Sequence, residues 1–222
     1  MTGAGARAAT SGRLVLLRHG QTDHNVAGRL QGRVDVPLND TGRAQARAAA
    51  RSLAAGATPD LVVSSPLSRA LETAEIIAAT LGVPEPIVTE KALIEAGFGA
   101  WEGLTDAEIA ERWPDDHRQW RQRGPLAHIG MEDRGVVGDR VAGACRALLA
   151  QHPGAQILVV SHGAALRSGI TSLLGLDAAQ FHGIGGLENC CSSVLEPLRS
   201  DPDGRLMRLQ SHNRPPDFAA HE

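Results

Sequence analysis

The sequence predicts an α/β fold: a single three-layer αβα domain with a mostly parallel central sheet and helices on both faces. Three observations predict it. Short apolar runs alternate along the chain with longer helical stretches, the pattern of strand–helix–strand units. Runs such as LVLL and ILVV are apolar throughout, as in parallel strands covered on both faces. The chain has 222 residues, enough for one sizeable core and short of the roughly 250–300 at which chains divide.

In chain order, residues 1–12 (MTGAGARAATSG) lack the apolar centre of a signal peptide and read as a disordered tail. Residues 14–17 are strand-like. Residues 40–55 are Ala-rich and helical, with Asn39, Asp40 and Thr41 as cap candidates. Residues 60–65 (DLVVSS) form a second strand. Residues 66–82 form a helix with Pro66 in its first turn and Gly82 at its end. Residues 86–90 (PIVTE) are expected as a third strand. Residues 105–113 and 115–122 read as short helices broken at Pro114. Residues 136–152 form a helix with Val141, Cys145 and Leu148 on one face. Residues 156–161 (QILVVS) make another strand, followed by a helix over 164–174. Residues 192–198 and 205–210 are late strands around a turn at 201–204. The domain is expected to span 13–211, with 212–222 as a C-terminal tail.

Composition narrows the function. Hydrophobic residues make up 42% and charged residues 21%, a soluble globular profile. A net charge of −3 argues against a nucleic-acid binder. No apolar run reaches transmembrane length. The three cysteines, Cys145, Cys190 and Cys191, are odd in number and suggest no disulfide framework, so a reducing, cytoplasmic setting is expected. Lys91 is the only lysine, so an anion site here must use arginine, whose planar fork suits phosphate oxygens.

The chemistry concentrates at strand ends. The first strand ends in LLRHG and a later one in VVSHG, each placing a histidine and a glycine just past a buried run. In open parallel sheets ligands bind outside the carboxyl ends of the strands, so His19 and His162 are candidates to share one cleft. A third strand end, SSPLSRALETAE, adds Arg69 one turn into its helix, where free N–H groups and the helix dipole favour an anion. Each feature has a plainer reading. Arg-His-Gly is a weak tripeptide, His162 alone suits a core, and Arg69 alone suits a surface pairing with Glu72 or Thr73. Two His and two Arg delivered to one sheet edge are hard to ascribe to packing.

LLRHGQTDHN, LQG, SSPLSRALETAE, EAGFGAWEG and VVSHGAALR, in that order, resemble the histidine phosphatase superfamily, also called phosphoglycerate-mutase-like. The resemblance implies His19 as nucleophile, forming a phosphohistidine. It implies Arg18, Arg69 and a charged His162 lining the phosphate pocket. It places Asn25 as a phosphate-binding residue, Gln31 as substrate-facing and Glu95 as proton donor. It implies a phosphomonoesterase of the histidine acid type, acting on small phosphorylated metabolites such as sugars, glycerates or similar acids. No metal and no cofactor are expected, and the protein is expected as a monomer or homodimer. Neutral imidazole suits attack on a phosphate dianion that repels anionic nucleophiles; the arginines offset its charge. A poor alkoxide leaving group needs a proton, and Glu95 can supply it. Gly20 is expected to keep bulk away from the phosphate.

Rival readings remain. Glu102 in WEG competes with Glu95 as the acid. Nothing matches a Gly-x-Ser-x-Gly elbow or a Gly-x-x-x-x-Gly-Lys loop, and His19 and His24 do not have zinc-ligand spacing. Trp101, Trp113 and Trp120 suit core or pocket wall. His117, His128, His152, His182, His212 and His221 suit the surface. A cofactor-dependent phosphoglycerate mutase would use the same His19. The segment 113–136 is short and lysine-free, with Arg118, Arg121 and Arg123 as partial substitutes, and LQG resembles the phosphatase branch. Gly130-Met131-Glu132-Asp133 departs from the Gly-Glu-Ser common in phosphatases, so an acidic residue there is expected to alter substrate choice. A non-catalytic phosphate-binding member would have lost His19, Arg18, Arg69 or His162, and all four are present.

Overall fold

The strands are β1 (Arg13–Arg18), β2 (Leu61–Ser64), β3 (Val88–Thr89), β4 (Gln156–Ser161), β5 (Ser192–Pro197) and β6 (Met207–Arg214). They form one sheet in the order β3-β2-β4-β1-β5-β6. β1, β2, β3 and β4 run parallel; β5 is antiparallel to β1, and β6 is antiparallel to β5, so only β5 opposes the rest. The computed structural model describes residues 12–56, 58–83, 87–122, 124–201 and 205–216. The two expected tails lie largely outside the described residues, as does most of the 201–204 turn. β6 continues to Arg214, past the expected domain end at 211.

Alternation along each central strand builds the three layers. Leu14 and Leu16 of β1, with Ile157 and Val159 of β4, pack against α6 (Arg134–Gln151) and α7 (Gly163–Leu173). Val15 and Leu17, with Leu158 and Val160, pack on the other face against α2 (Asp40–Ala54) and α3 (Ser68–Leu81). Successive strand residues point to opposite faces, so a run apolar throughout buries both. Each fully buried Leu, Ile or Val contributes about 1.5–3 kcal/mol. Cys145 sits in the α6 core, as its helical spacing predicts.

Local chemistry sets the helix boundaries. Asn39 caps α2, its side chain accepting from Gly42 N. Pro66 falls before α3 instead of inside it, since Leu67 is the N-cap; Gly82 ends the helix in the left-handed conformation that glycine tolerates. Pro114 does not simply break a helix. It opens α5 (Pro114–Arg121), where its missing N–H costs nothing, and Trp113 closes α4 (Asp106–Arg112) while starting α5. α6 begins at Arg134, two residues earlier than expected, because Asp133 caps it. A one-turn helix, α1 (Asp23–Val26), follows β1; Thr22 and Asn25 form its capping box, which the sequence reading missed. Trp101, Ile109 and Leu126 form a small separate core beneath residues 98–131, with Trp113 and Trp120 packed against it.

Register places the site. In the parallel β1–β4 pair Arg18 lies beside Ser161, and Ser64 pairs with Val160. Three strands therefore end level, and His19, Ser65 and His162 follow on at one edge. Among the described residues no helix is long and apolar enough to cross a membrane.

Candidate active site

A cavity of about 280 Å³ opens at that edge, lined in part by Arg18, His19, Asn25, Gln31, Arg69 and Glu95. Six of the seven expected site residues thus share one wall. His162 is the exception: it is fully buried, its ring centroid 5.2 Å from that of His19.

His19 is 2% exposed. Its Nδ1 lies 2.7 Å from the Gly20 carbonyl, which only accepts, so Nδ1 carries the proton and Nε2 keeps its lone pair. Burial pushes the imidazole well below the usual histidine range, and Arg18 and Arg69 push the same way. The ring is held neutral. His162 is neutral too, driven down by burial and then by His19 and Arg69. Arg69 Nε donates to its Nδ1 at 3.2 Å, so its Nε2 donates to Ser65 Oγ at 2.7 Å. The expectation of a charged His162 on the pocket wall is corrected: both its nitrogens are occupied behind the wall.

Arg69 is fully buried. It donates to His162 and, through Nη1 and Nη2, to the carbonyls of Val34 and Gly32 at 2.8 Å each. Three of its five N–H groups are used, leaving two for an anion. Its surface reading is excluded, because Glu72 pairs with Arg43 instead. Arg18 Nη1 donates to Leu187 O at 2.7 Å, whereas its buried Nε has no partner. Such a donor is costly to leave unmade, and it borders the cavity that His19 lines. Asn25 Oδ1 accepts from Thr22 N and from Asn189 Nδ2, leaving its amide hydrogens for the cavity.

Glu95 is 7% exposed, and its carboxylate meets the first N–H groups of α7. Its Oε1 accepts from Ala96 N and Ala165 N at 2.8 Å each, and Oε2 accepts only from Ala164 N at 3.2 Å. Oε2 is the oxygen with capacity left for a proton. Arg140, which the sequence reading missed, donates to the carbonyls of Ala92, Ile94 and Glu95 and fixes this segment. Glu102 has another role: its Oε1 accepts from Arg33 N and Phe98 N. It fills the space a side chain at Gly32 (φ 53°) would need.

One more expectation is corrected. A Cβ on Gly20 would meet Gly42 O, so the glycine serves the approach of α2 and not a phosphate. Glu132 pairs with Arg140 and Arg33 and accepts from Gly97 N, and it also lines the cavity, so it braces the wall of which it is part. Ser65 was legible in SSPLSR. Asn189, which also donates to His19 O at 2.9 Å, sits in a loop without periodicity to mark it. Arg118 faces Asp115 on the exposed side of α5, Arg121 reaches the cavity mouth, and Arg123 lies outside the described residues. Trp101 is core and Trp120 is pocket wall. His117 and His128 meet Asp106 and Asp116, His212 meets Ser193, and His221 lies outside the described residues. Among the described residues no group of three or more His, Cys, Asp or Glu could hold a metal ion.

A bifunctional protein of Mycobacterium tuberculosis is 44% identical over 158 residues, 71% of this chain and 43% of its own length. The chain therefore spans under half of that relative. A glucosyl-3-phosphoglycerate phosphatase of Mycolicibacterium vanbaalenii is 39% identical over 184 residues, 80% of each chain. The solved structure of a mycobacterial glucosyl-3-phosphoglycerate phosphatase complexed with VO3 superposes with a TM-score of 0.82 at 34% identity, over 91% of this chain and 99% of that one. The model of the histidine phosphatase superfamily (branch 1) matches residues 14–210. With that match running from β1 into β6 and across the whole cavity wall, the chain belongs to the histidine phosphatase superfamily.

Proposed function

We propose that this protein is a phosphomonoesterase that hydrolyses small phosphorylated metabolites through a phosphohistidine on His19. The observation that carries this is the held tautomer: Nδ1 is tied to Gly20 O, so Nε2 is the nucleophilic nitrogen at the cavity. Arg18 Nε, the two remaining Arg69 N–H groups and the Asn25 amide supply donors for a phosphoryl group. Nε2 attacks phosphorus as the P–O bond to the alcohol breaks, and the departing oxygen takes a proton from Glu95. Water then gives a proton to the Glu95 carboxylate and attacks phosphorus. The P–N bond breaks, its electron pair returns to Nε2, and inorganic phosphate leaves. Fixed donors around the transferring group stabilise the transition state without reorganisation. His162 acts through Arg69 and is a positioning residue. Gln31, 7% exposed and 3.0 Å from Thr22 Oγ1, faces the substrate beyond the phosphoryl group. Three free, buried cysteines fit a reducing, cytoplasmic setting, with the protein working as a monomer or homodimer without metal or nucleic acid.

The test follows phosphate release and isomerisation in one tube by phosphorus NMR, with a quenched label on the protein. The expected result is release of phosphate in EDTA, with an acid-labile, alkali-stable label that His19→Ala lacks. An acid-stable label, or a requirement for added divalent ion, overturns the mechanism. Interconversion of 3- and 2-phosphoglycerate outpacing release makes the protein a mutase.

A further inference from the structure

We propose that Gln45 is a positioning residue for the reaction, holding the Gly20–Gln21 peptide so that His19 keeps its nucleophilic nitrogen free. This rests on the phosphatase reading above and adds the group that fixes the tautomer. His19 Nδ1 meets its acceptor one residue on, at the Gly20 carbonyl, 2.7 Å away. A peptide unit is planar, so that carbonyl points wherever the N–H of the same unit is held. That N–H is Gln21 N, and it donates to Gln45 Oε1 at 2.8 Å. Backbone N–H only donates, so the amide oxygen of Gln45 faces it and not the amide nitrogen. His19, one peptide unit and Gln45 therefore form a single chain of hydrogen bonds that starts at the cavity and ends on α2.

Glycine is the residue least able to hold a carbonyl in place by its own backbone preference, so the direction of Gly20 O has to come from outside. The approach of α2 supplies it. A Cβ on Gly20 would come within 2.5 Å of Gly42 O, and one on Gly42 within 2.8 Å of Gln21 N. Residues three apart share a helix face, so Gln45 stands over the peptide that Gly42 lets in. The preceding peptide unit is tied separately: Gly20 N donates to Thr73 Oγ1 at 3.0 Å, and His19 O accepts from Asn189 Nδ2 at 2.9 Å. Gln45 is the side chain that takes the N–H of the unit carrying the acceptor. Without it the carbonyl can swing, and an imidazole freed from its Nδ1 acceptor can carry the proton on Nε2, where no lone pair remains for attack. With it, the peptide is polarised from its far side, which strengthens Gly20 O as an acceptor. Attack by Nε2 leaves the ring positive, and a stronger acceptor at Nδ1–H favours that state over the free enzyme. Gln45 is not on the cavity wall, so it acts without touching substrate.

Two variants separate the oxygen from the bulk: Gln45→Met keeps the size and removes the acceptor, and Gln45→Glu keeps an oxygen at the same reach. On p-nitrophenyl phosphate, kcat/KM reports the steps up to the phosphohistidine. It is expected to fall about three- to tenfold in Gln45→Met, the scale of one neutral hydrogen bond, and to recover in Gln45→Glu. Competitive inhibition by inorganic phosphate should not weaken, because Arg18, Arg69 and Asn25 stay in place. Nitrogen NMR of isotope-labelled histidine reads the tautomer directly. The His19 Nε2 signal should move toward the protonated position in Gln45→Met and stay in place in Gln45→Glu. Gln45→Ala, favourable in a helix, serves where Gln45→Met fails to fold. An unmoved Nε2 signal or an unchanged kcat/KM in Gln45→Met overturns the proposal. So does a loss accompanied by weaker phosphate inhibition, which marks a slackened pocket, or a loss that Gln45→Glu does not relieve. If wild-type protein fails even on p-nitrophenyl phosphate, the phosphatase reading falls, and the nitrogen signal alone decides whether Gln45 holds the tautomer.

Discussion

The ends of β1 and β4 read almost alike, Leu17-Arg18-His19-Gly20 against Val160-Ser161-His162-Gly163, and they hold their imidazoles in opposite ways. After His19 the chain stays irregular until α1, so the Gly20 carbonyl is free to turn back to Nδ1. After His162 the chain enters α7 at once. His162 is the N-cap (φ −127°, ψ 168°), and its carbonyl already accepts from Leu166 N. Carbonyls of a first helical turn are committed to the helix, so the ring bonds to Ser65 and Arg69 instead. One histidine is left with a free nitrogen and the other with none. The backbone that follows, and not the tripeptide, assigns the roles.

The widest separation between the two ends is expected in turnover. His19→Ala should cost about 10⁴–10⁶-fold in kcat on p-nitrophenyl phosphate, the scale for losing a nucleophile. His162→Ala should cost roughly 10²–10³-fold, the scale for disturbing one stabilising donor, and should still form the acid-labile label, more slowly. Equal losses, or a label that persists in His19→Ala, would erase the distinction drawn here. Next in size is Glu95→Gln. Acid–base help is worth about 10²–10⁴-fold, so hydrolysis of alkyl phosphates should fall by that amount. Aryl phosphates, with better leaving groups, should fall far less. A uniform loss would return attention to Glu102.

Acid sharpens the comparison in what the two rings share. Both are held neutral below the ordinary value of 6.5. Below that pH the unfolded chain binds protons that the native sites refuse, so stability falls as pH drops. The slope is about 1.4 kcal/mol per pH unit for each group at most, down to its native pKa. Thermal melts between pH 7 and 5 should shift downward, and less steeply in His162→Asn. A flat profile would refute the neutral pair. The smallest effect concerns the approach of α2 to β1. Gly→Ala inside a helix usually stabilises by roughly 0.5–1 kcal/mol. At Gly42 the new Cβ would meet the Gln21 backbone. Gly42→Ala should therefore destabilise by about 1–3 kcal/mol, as overpacking does, read as a lower urea midpoint.

Much of the fold was legible because it is local. LVLL and ILVV are apolar on both faces, and the Ala-rich stretch after Asn39 has its cap beside it. The elements that were misplaced depend on particular side chains. α1 needs the Thr22–Asn25 box, α6 starts at Asp133, and Pro66 stays outside α3. Arg18, His19 and Arg69 on the cavity wall followed from strand ends, since the sheet brings such ends level, whereas Asn25, Gln31 and Glu95 came only from the family resemblance. The braces did not. Arg140 stands 45 residues from Glu95 in sequence, and Asn189 stands 170 from His19. No spacing rule connects positions so far apart.

The sequence by itself determined the α/β class, the strand ends that carry His19, Arg69 and His162, and the residue types able to meet a phosphate. It did so because hydrophobic periodicity and strand-to-helix transitions are written in neighbouring residues. Only the tertiary structure decided which histidine keeps a free nitrogen, that Glu95 and not Glu102 lines the cavity, that Gly20 serves packing, and that Glu132 is tied to Arg33 and Arg140. Those outcomes turn on hydrogen bonds of about 3 Å between groups far apart in the chain. Strand register and helix approach set which donor meets which acceptor, and that is fixed only when the layers close.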